Sequence, residues 1–343
     1  MKVGITYDLR QDYLAQGFTE EETAEFDRID TIETIDQVLQ DLGFKTDRIG
    51  NIVNLTTRLA KGERWDLVFN IAEGMRGFAR EAQIPALLDA FNIPYTFSDP
   101  LVLSVALHKP TAKRIVRDLG LPTPDFWVIE DASDIAKLKK LPFPLFAKPV
   151  AEGTGKGITS ASKIENFKEL NNISKKILST YNQPVLIETF LPGREFTVGI
   201  LGTGKEAEAI GTLEIILRDH AEPIAYSYIN KEYCEELVEY RPVNDSLAEQ
   251  AQTMALKIWQ KIGGRDAGRV DFRIDDKGVP NFIELNPLAG LHPEHSDLPI
   301  LCRSKGISYH QLIDKIMNSA IKRASLLNNY PNKQKALIEP NLI

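Results

Sequence analysis

The stretch GRDAGRVDFRIDDKGVPNFIELNPLAG, residues 264–290, constrains this chain more than any other. Its pattern predicts two strands joined by a tight turn. Val270, Phe272 and Ile274 alternate on one side, and Phe282, Ile283 and Leu285 form the apolar part of the second run. Asp275-Asp276-Lys277-Gly278 has hairpin-turn chemistry, with Gly278 free to take positive φ. That pairing brings Asp271 close to Glu284 and Asn286 at the end far from the turn, with Arg269 nearby. Two carboxylates and an amide oxygen are hard ligands of the kind that suit Mg²⁺, which is held by a carboxylate or two together with substrate phosphates. Two acidic strands with a solvated face would account poorly for Glu284 and Asn286 inside an otherwise apolar run.

The length of 343 residues exceeds one hydrophobic core and predicts about two or three domains. A net charge of −7, with no basic stripe carrying interleaved aromatics, argues against nucleic-acid binding. Cys234 and Cys302 alone cannot build a disulfide framework or a Cys-rich zinc site. The start MKVGITYDLR enters a strand directly, and no apolar run approaches membrane-spanning length. A cytoplasmic, non-membrane protein is the expectation.

Strand-like and helix-like segments alternate over the first hundred or so residues. KVGITY (2–7), 44–49, 66–71 and IPYTF (93–97) read as strands, and 29–42 and 80–92 as helices, the first ended by Gly43. This predicts a Rossmann-like parallel sheet whose ligands sit beyond the strand ends, at Tyr7-Asp8 and at Asn70-Ile71-Ala72-Glu73-Gly74. No GxGxxG follows the first strand, which counts against a nicotinamide enzyme. Residues 8–28 are polar and acidic and read either as a lid or as a solvated loop. Ser98-Asp99-Pro100 starts a helix, and Pro122 and Pro124 mark a boundary.

Further on, a strand is expected at 126–129, a helix at 132–140 and a strand at 143–148 ending in Lys148. The glycine-rich run Glu152-Gly153-Thr154-Gly155-Lys156-Gly157 follows; it is either a phosphate cradle or a ligand-free hairpin, and it is not a Walker A loop. Helices are expected at 164–178, 246–262 and 309–323, a strand at 185–187 closing on Glu188, and a polar tail at 326–343. His292-Pro293-Glu294-His295 lacks the HExxH spacing, and Pro293 breaks the helix that a zinc site of that type needs.

Taken together, IPYTFSDPLVLSVALHKPTAKRIVRDLGLPTP (93–124), FAKPVAEGTGKGI (146–158), LIETFLPGREFTV (186–198), RVDFRID (269–275), FIELNPLAGL and HSDLP (282–299) resemble the ATP-grasp enzymes, and within them the D-alanine–D-alanine ligase family. The resemblance implies an α/β fold, with the Rossmann-like domain at 1–106 followed by a two-lobed α+β grasp at 107–195 and 196–325. It implies ATP and two Mg²⁺ ions, with Mn²⁺ as a substitute, and small amino acid or peptide substrates; a homodimer is compatible with it. It also implies residue roles. Lys109 and Lys148 would contact ATP phosphates, together with the loop Glu152, Gly153, Thr154 and Gly155. Glu188 would sit at the adenine and Glu195 at the ribose. Lys231 would be the phosphate-contacting lysine of a flexible loop. Asp271, Glu284 and Asn286 would hold the metal ions, and Arg269 with the N–H of Gly290 would stabilise an oxyanion. Ser296 would meet the second substrate. The implied chemistry is a carboxylate activated as an acyl phosphate and joined to an amine.

The chain departs from that family on the amino-acid side. GITYDLRQD lacks the family's glycine-rich strand end with its ammonium-binding glutamate, and Glu73 stands in the segment that replaces its His-Gly. Glu232 replaces a tyrosine, and Asp297 follows Ser296 where an apolar residue is usual. Extra carboxylates at 73, 232 and 297 predict that at least one substrate carries an extra positive or hydrogen-bond-donating group or lacks the free carboxylate, unless Asp297 caps a turn and points away. A ligase for other amino acids or peptides, and a nucleotide binder without turnover, stay open; an oxyanion arginine is superfluous in the latter.

Overall fold

In the computed structural model, which describes residues 1–329, three sheets carry the architecture. The first is parallel, in the order β2-β1-β3, from β1 (Lys2–Thr6), β2 (Lys45–Gly50) and β3 (Leu67–Asn70). β3 is buried along its whole length, as expected of a parallel strand covered on both faces. Helices α1 (Arg10–Ala15), α2 (Ile29–Asp41), α3 (Ile52–Ala60) and α4 (Gln83–Ala90) accompany it. On one face Ile32, Ile35 and Leu39 of α2 pack with Val3, Ile5 and Phe69; on the other Leu55 and Leu59 of α3 meet Val68, Ile84 and Leu88.

IPYTF is not a strand. It contributes a single parallel bridge, Tyr95 to Val68. The expected helix 80–92 is a 3₁₀ turn, Arg80–Ala82, running into α4. Helix α3 was not anticipated, although Asn51 caps it by accepting from Val53 and Asn54. Residues 8–28 carry exposed positions but are anchored to the rest of the chain. They pack through buried Thr23 and Phe26, and the Tyr13 and Phe26 ring centroids lie 4.5 Å apart.

Helix α5 (Pro100–Leu107) begins where Asp99 accepts from Val102, and α6 (Lys109–Asp118) follows. The second sheet is antiparallel, in the order β4-β7-β5-β6, from β4 (Phe126–Ile129), β5 (Leu145–Pro149), β6 (Lys163–Ile164) and β7 (Val185–Thr189). Helix α7 (Phe167–Tyr181) lays Leu170 and Ile177 on it. The expected helix 132–140 is a 3₁₀ turn, Asp134–Leu138, which buries Ile135 and Leu138 without a full apolar stripe.

The third sheet, in the order β10-β9-β8-β11-β12, is antiparallel: β8 (Glu195–Leu201), β9 (Glu208–Leu217), β10 (Val238–Val243), β11 (Ala267–Ile274) and β12 (Pro280–Asn286). Short helices α8 (Tyr228–Glu232) and α9 (Cys234–Leu237) cross between β9 and β10, and α10 (Ser246–Ile262) backs the sheet through Ala251, Ala255 and Trp259. Helix α11 (Asp297–Ser304) and α12 (Tyr309–Asn329) complete the fold. Leu312, Ile313 and Ile316 of α12 join the core of the first sheet, so the two ends of the chain share one apolar cluster. Helix α12 extends past the expected end at Arg323 to Asn329, and the rest of the polar tail, 330–343, lies outside the described residues.

Candidate active site

The hairpin of β11 and β12 pairs as its sequence pattern predicts, with Asp271 opposite Glu284 and Arg269 opposite Asn286. A bulge interrupts the register, because Phe272 pairs with Phe282 and Ile283 is left over. The extra residue lets Phe282 and Leu285 share the core while Ile283 and Glu284 both line a cleft. Ile283 is therefore a cleft residue rather than part of the apolar core run.

That cleft has an empty volume of about 880 Å³ and lies between the second and third sheets. Lys109, Lys148, Glu152, Gly153, Gly155, Glu188, Glu195, Lys231, Asp271 and Glu284 all line it. Phe146, Phe190, Leu191 and Ile283 add apolar surface, so one end is flat and apolar and the other charged. Lys148 on β5 and Lys113 on α6 both reach Glu188 on β7, at 2.8 and 2.5 Å. Burial would raise the Glu188 carboxyl, but the two ammonium groups hold it below its ordinary range. Lys113 is fully buried, donates to Thr123 Oγ1 and the Phe282 carbonyl at 3.1 Å, and is pulled down to about 8 by burial. Sequence reasoning passed over Lys113, although it lies one helical turn after Lys109.

Lys109 sits at the start of α6, 3.3 Å from Glu284 Oε2, and donates to the Glu152 carbonyl at 2.5 Å. Burial opposes ionisation of Glu284, yet Lys109, Lys231, Lys148 and Arg269 hold its carboxyl well below the usual range. Asp271 moves the other way: burial pushes it up against the pull of Arg269, and Glu284 adds to the rise. Its Oδ1 accepts from Thr197 Oγ1 at 2.9 Å, and its Oδ2 from Asn286 Nδ2 at 3.2 Å and from Arg269. Glu195 lies 3.4 Å from Arg273. Two carboxylates facing each other across adjacent strands, with an amide beside them, form an oxygen-rich donor set that fits a hard divalent cation.

The glycine loop is clamped on both sides. A Cβ on Gly155, whose φ is +72°, would fall 2.7 Å from the Ser227 and Tyr228 backbone at the start of α8. A Cβ on Gly153 would fall 2.2 Å from Glu25 Oε1. Glu25, in the stretch left open between lid and loop, accepts from Arg80 at 2.8 Å and from Lys156 at 2.9 Å. Segment 8–28, the glycine loop and α8 thus lock together over the cleft.

A second cavity adjoins the first, with an empty volume of about 970 Å³. Thr154, Lys231, Arg269, Gly290, Ser296 and Asp297 line it, with Tyr226 and Lys231 shared between the two. Ser296 Oγ accepts from the His292 N–H at 3.0 Å and would lie 2.8 Å from a Cβ on Gly290. Asp297 does not point away: its Oδ1 accepts from the Tyr226 hydroxyl at 3.3 Å and its Oδ2 lies 3.6 Å from Arg269. Glu232 pairs with Arg10 at 3.2 Å and Arg28 at 3.0 Å rather than with Thr154. Glu73 lines neither cavity. Burial, then Glu81 and Glu25, raise its carboxyl well above the usual range. Asp27, which sequence reasoning did not single out, lines the second cavity.

A grasp of two antiparallel sheets over a lysine-lined cleft, next to a parallel-sheet unit, is the ATP-grasp fold of ATP-dependent carboxylate–amine ligases. The family described as D-ala D-ala ligase C-terminus matches residues 115–318. The D-alanine–D-alanine ligase of Aquifex aeolicus is 34% identical over 254 residues, covering 74% of this chain and 81% of that protein. That of Bordetella avium is 32% identical over 247 residues, 71% of this chain and 75% of that one. The crystal structure of the Bacillus anthracis D-alanine–D-alanine ligase complexed with ATP superposes with a TM-score of 0.72 at 21% identity, over 95% of this chain and 99% of that chain. The chain belongs to the D-alanine–D-alanine ligase family.

Proposed function

We propose that this ATP-dependent ligase phosphorylates the carboxylate of an amino acid or peptide and joins the acyl group to an amine. A carboxylate oxygen attacks the γ-phosphorus and ADP leaves; the amine nitrogen then attacks the acyl carbon, inorganic phosphate leaves, and the ammonium proton is released. The observation that carries this reading is the placement of Asp271 opposite Glu284, with Arg269 buried between Asp271 and Asp297 where the two cavities meet. A nucleotide binder alone would have no use for a buried arginine on the substrate side.

The apolar surface of Phe146, Phe190, Leu191 and Ile283 takes the adenine, with Glu188 beside it, and Glu195 takes the ribose. Lys109, Lys148 and Lys231, with the N–H groups of the 152–155 loop, neutralise and orient the phosphates. Asp271, Glu284 and Asn286 would hold Mg²⁺, which would supply positive charge to neutralise the phosphoryl oxygens. Arg269 and the Gly290 N–H stabilise the tetrahedral oxyanion, worth a few kcal/mol, about 3, for such a donor. Ser296 and Asp297 face the second substrate. The units 1–106, 107–195 and 196–325 serve as substrate wall, nucleotide lid and catalytic floor.

The test is a phosphate-release screen with ATP and Mg²⁺ over D- and L-amino acids, dipeptides and hydroxy acids, singly and in pairs. Phosphate release that depends on an added carboxylate and amine is expected. Release that ignores every added substrate would contradict the reading.

A further inference from the structure

Resting on the ligase reading above, we propose that the acceptor site of this chain selects an amine that carries no carboxylate beside its reacting nitrogen, because Asp297 already occupies the place where an acceptor carboxylate would be received. A carboxylate entering the second cavity is received by an uncommitted cation or by the unopposed positive end of a helix. Arg269 is held by Asp271 and lies 3.6 Å from Asp297. Arg10 and Arg28 are both held by Glu232. His295 lies 3.5 Å from Glu235 and stacks on His292, whose ring burial keeps below its ordinary value. Lys231 lies 4.6 Å over the Tyr226 ring and lines the nucleotide cleft too, where its charge is matched to phosphate.

The positive end of α11 is offset as well: no side chain caps its N–H groups, but Asp297 stands in the first turn, where a negative charge opposes the helix dipole. It is 7% exposed and fixed by the Tyr226 hydroxyl, which in turn bonds the Tyr240 hydroxyl. A second carboxylate brought to Ser296 would be repelled by this one, and Lys231, shared with the nucleotide cleft, is the lining cation left to offset it among the described residues. The lining also carries the carboxyl of Asp27, which has neither ion pair nor side-chain hydrogen bond among the described residues. The cavity therefore complements a neutral or cationic partner, such as an amino-acid amide or a diamine, and repels a plain amino acid.

The experiment separates carboxylate activation from acceptor choice. Hydroxylamine is first used to trap acyl phosphate as hydroxamate over D- and L-amino acids, and the amino acid giving most hydroxamate serves as donor. Acceptors are then compared by phosphate release: D- and L-alanine, D- and L-alaninamide, and 1,4-diaminobutane. The expected result is a kcat/KM for an amide or the diamine at least about tenfold above that for either alanine, a factor near 1.4 kcal/mol. Asp297→Asn and Asp297→Leu should narrow or reverse that preference, with ATP-induced thermal stabilisation reporting that each variant is folded. Equal or better use of a free alanine by the wild type, with hydroxamate forming normally, would overturn the acceptor proposal and leave the ligase reading intact. Unchanged preference in both folded Asp297 variants would also overturn it. No hydroxamate with any donor would overturn the ligase reading and this proposal with it.

Discussion

Lys148 Nζ stands 2.8 Å from Glu188 Oε2 at the wall of the nucleotide cleft, and both side chains are buried. The pair ties β5 to β7. Replacing the lysine leaves Glu188 with Lys113 alone. Lys148→Ala should weaken ATP binding and slow turnover by at least about tenfold, near 1.4 kcal/mol. Steady-state kinetics against ATP concentration decide it, and an unchanged KM and kcat would place the lysine outside the nucleotide's reach.

Glu284 faces Asp271 across the hairpin and lies 3.3 Å from Lys109. Glu284→Gln keeps the shape and removes the charge, so folding should survive while activity falls by at least about a hundredfold, near 2.7 kcal/mol. Thermal unfolding and a magnesium titration of activity read the two halves separately. Near-normal magnesium-dependent turnover would remove Glu284 from the proposed metal set.

Gly155 cannot accept a Cβ without moving the Ser227–Tyr228 backbone, and its positive φ penalises any L side chain. Gly155→Ala should keep the fold, since the loop lies at the surface of the cleft, but hold α8 off the glycine loop. The expected effect is a raised KM for ATP and slower turnover, with a conformational cost of about 1–2 kcal/mol. Kinetics identical to the wild type would mean that the two loops part during the reaction.

Asp27 gives a pH-dependent signature. Burial, then Asp8 and Asp30, push its carboxyl up from 3.8 to about 7. A folded-state value above the unfolded one means that its contribution to stability is complete below about 4 and is lost as pH rises through 7. Asp27→Asn, which mimics the protonated form, should therefore gain most above neutrality. Comparing melting temperatures at pH 5 and pH 8.5, the variant's advantage should grow by at least about 2 °C. A constant difference at both values would show that the ionised carboxylate is already compensated.

The cleft residues were legible because chemistry and strand period coincide: a run such as RVDFRID places alternate side chains on one face, and Gly278 fixes the turn that sets the register. Asp271 and Glu284 could thus be picked from local pattern, while the roles of Lys109, Lys148 and Glu188 came with the family resemblance; all five line one cleft. Segment 8–28 was not legible. Its anchors are sparse in sequence, and its order comes from Glu25 reaching Arg80, 55 residues away, and Lys156, 131 away. Strand and helix boundaries slipped where the pattern was weak, as at 93–97, where the chain approaches β3 for one bridge only.

The sequence alone indicated the class of chemistry, because a hard-ligand hairpin was legible from strand period and several motifs together resembled a known ligase family in order. Only the tertiary structure decided which charges are committed. Asp297 reads from sequence as a cap or a ligand with equal ease, and nothing local distinguishes them. Its fate depends on Arg269 from β11 and Tyr226 from the loop before α8, groups that meet it only when the third sheet and the two following helices pack. Electrostatic interactions act through space at a few ångströms, so whether a carboxylate is a receptor or an occupant is settled by packing rather than by the order of residues.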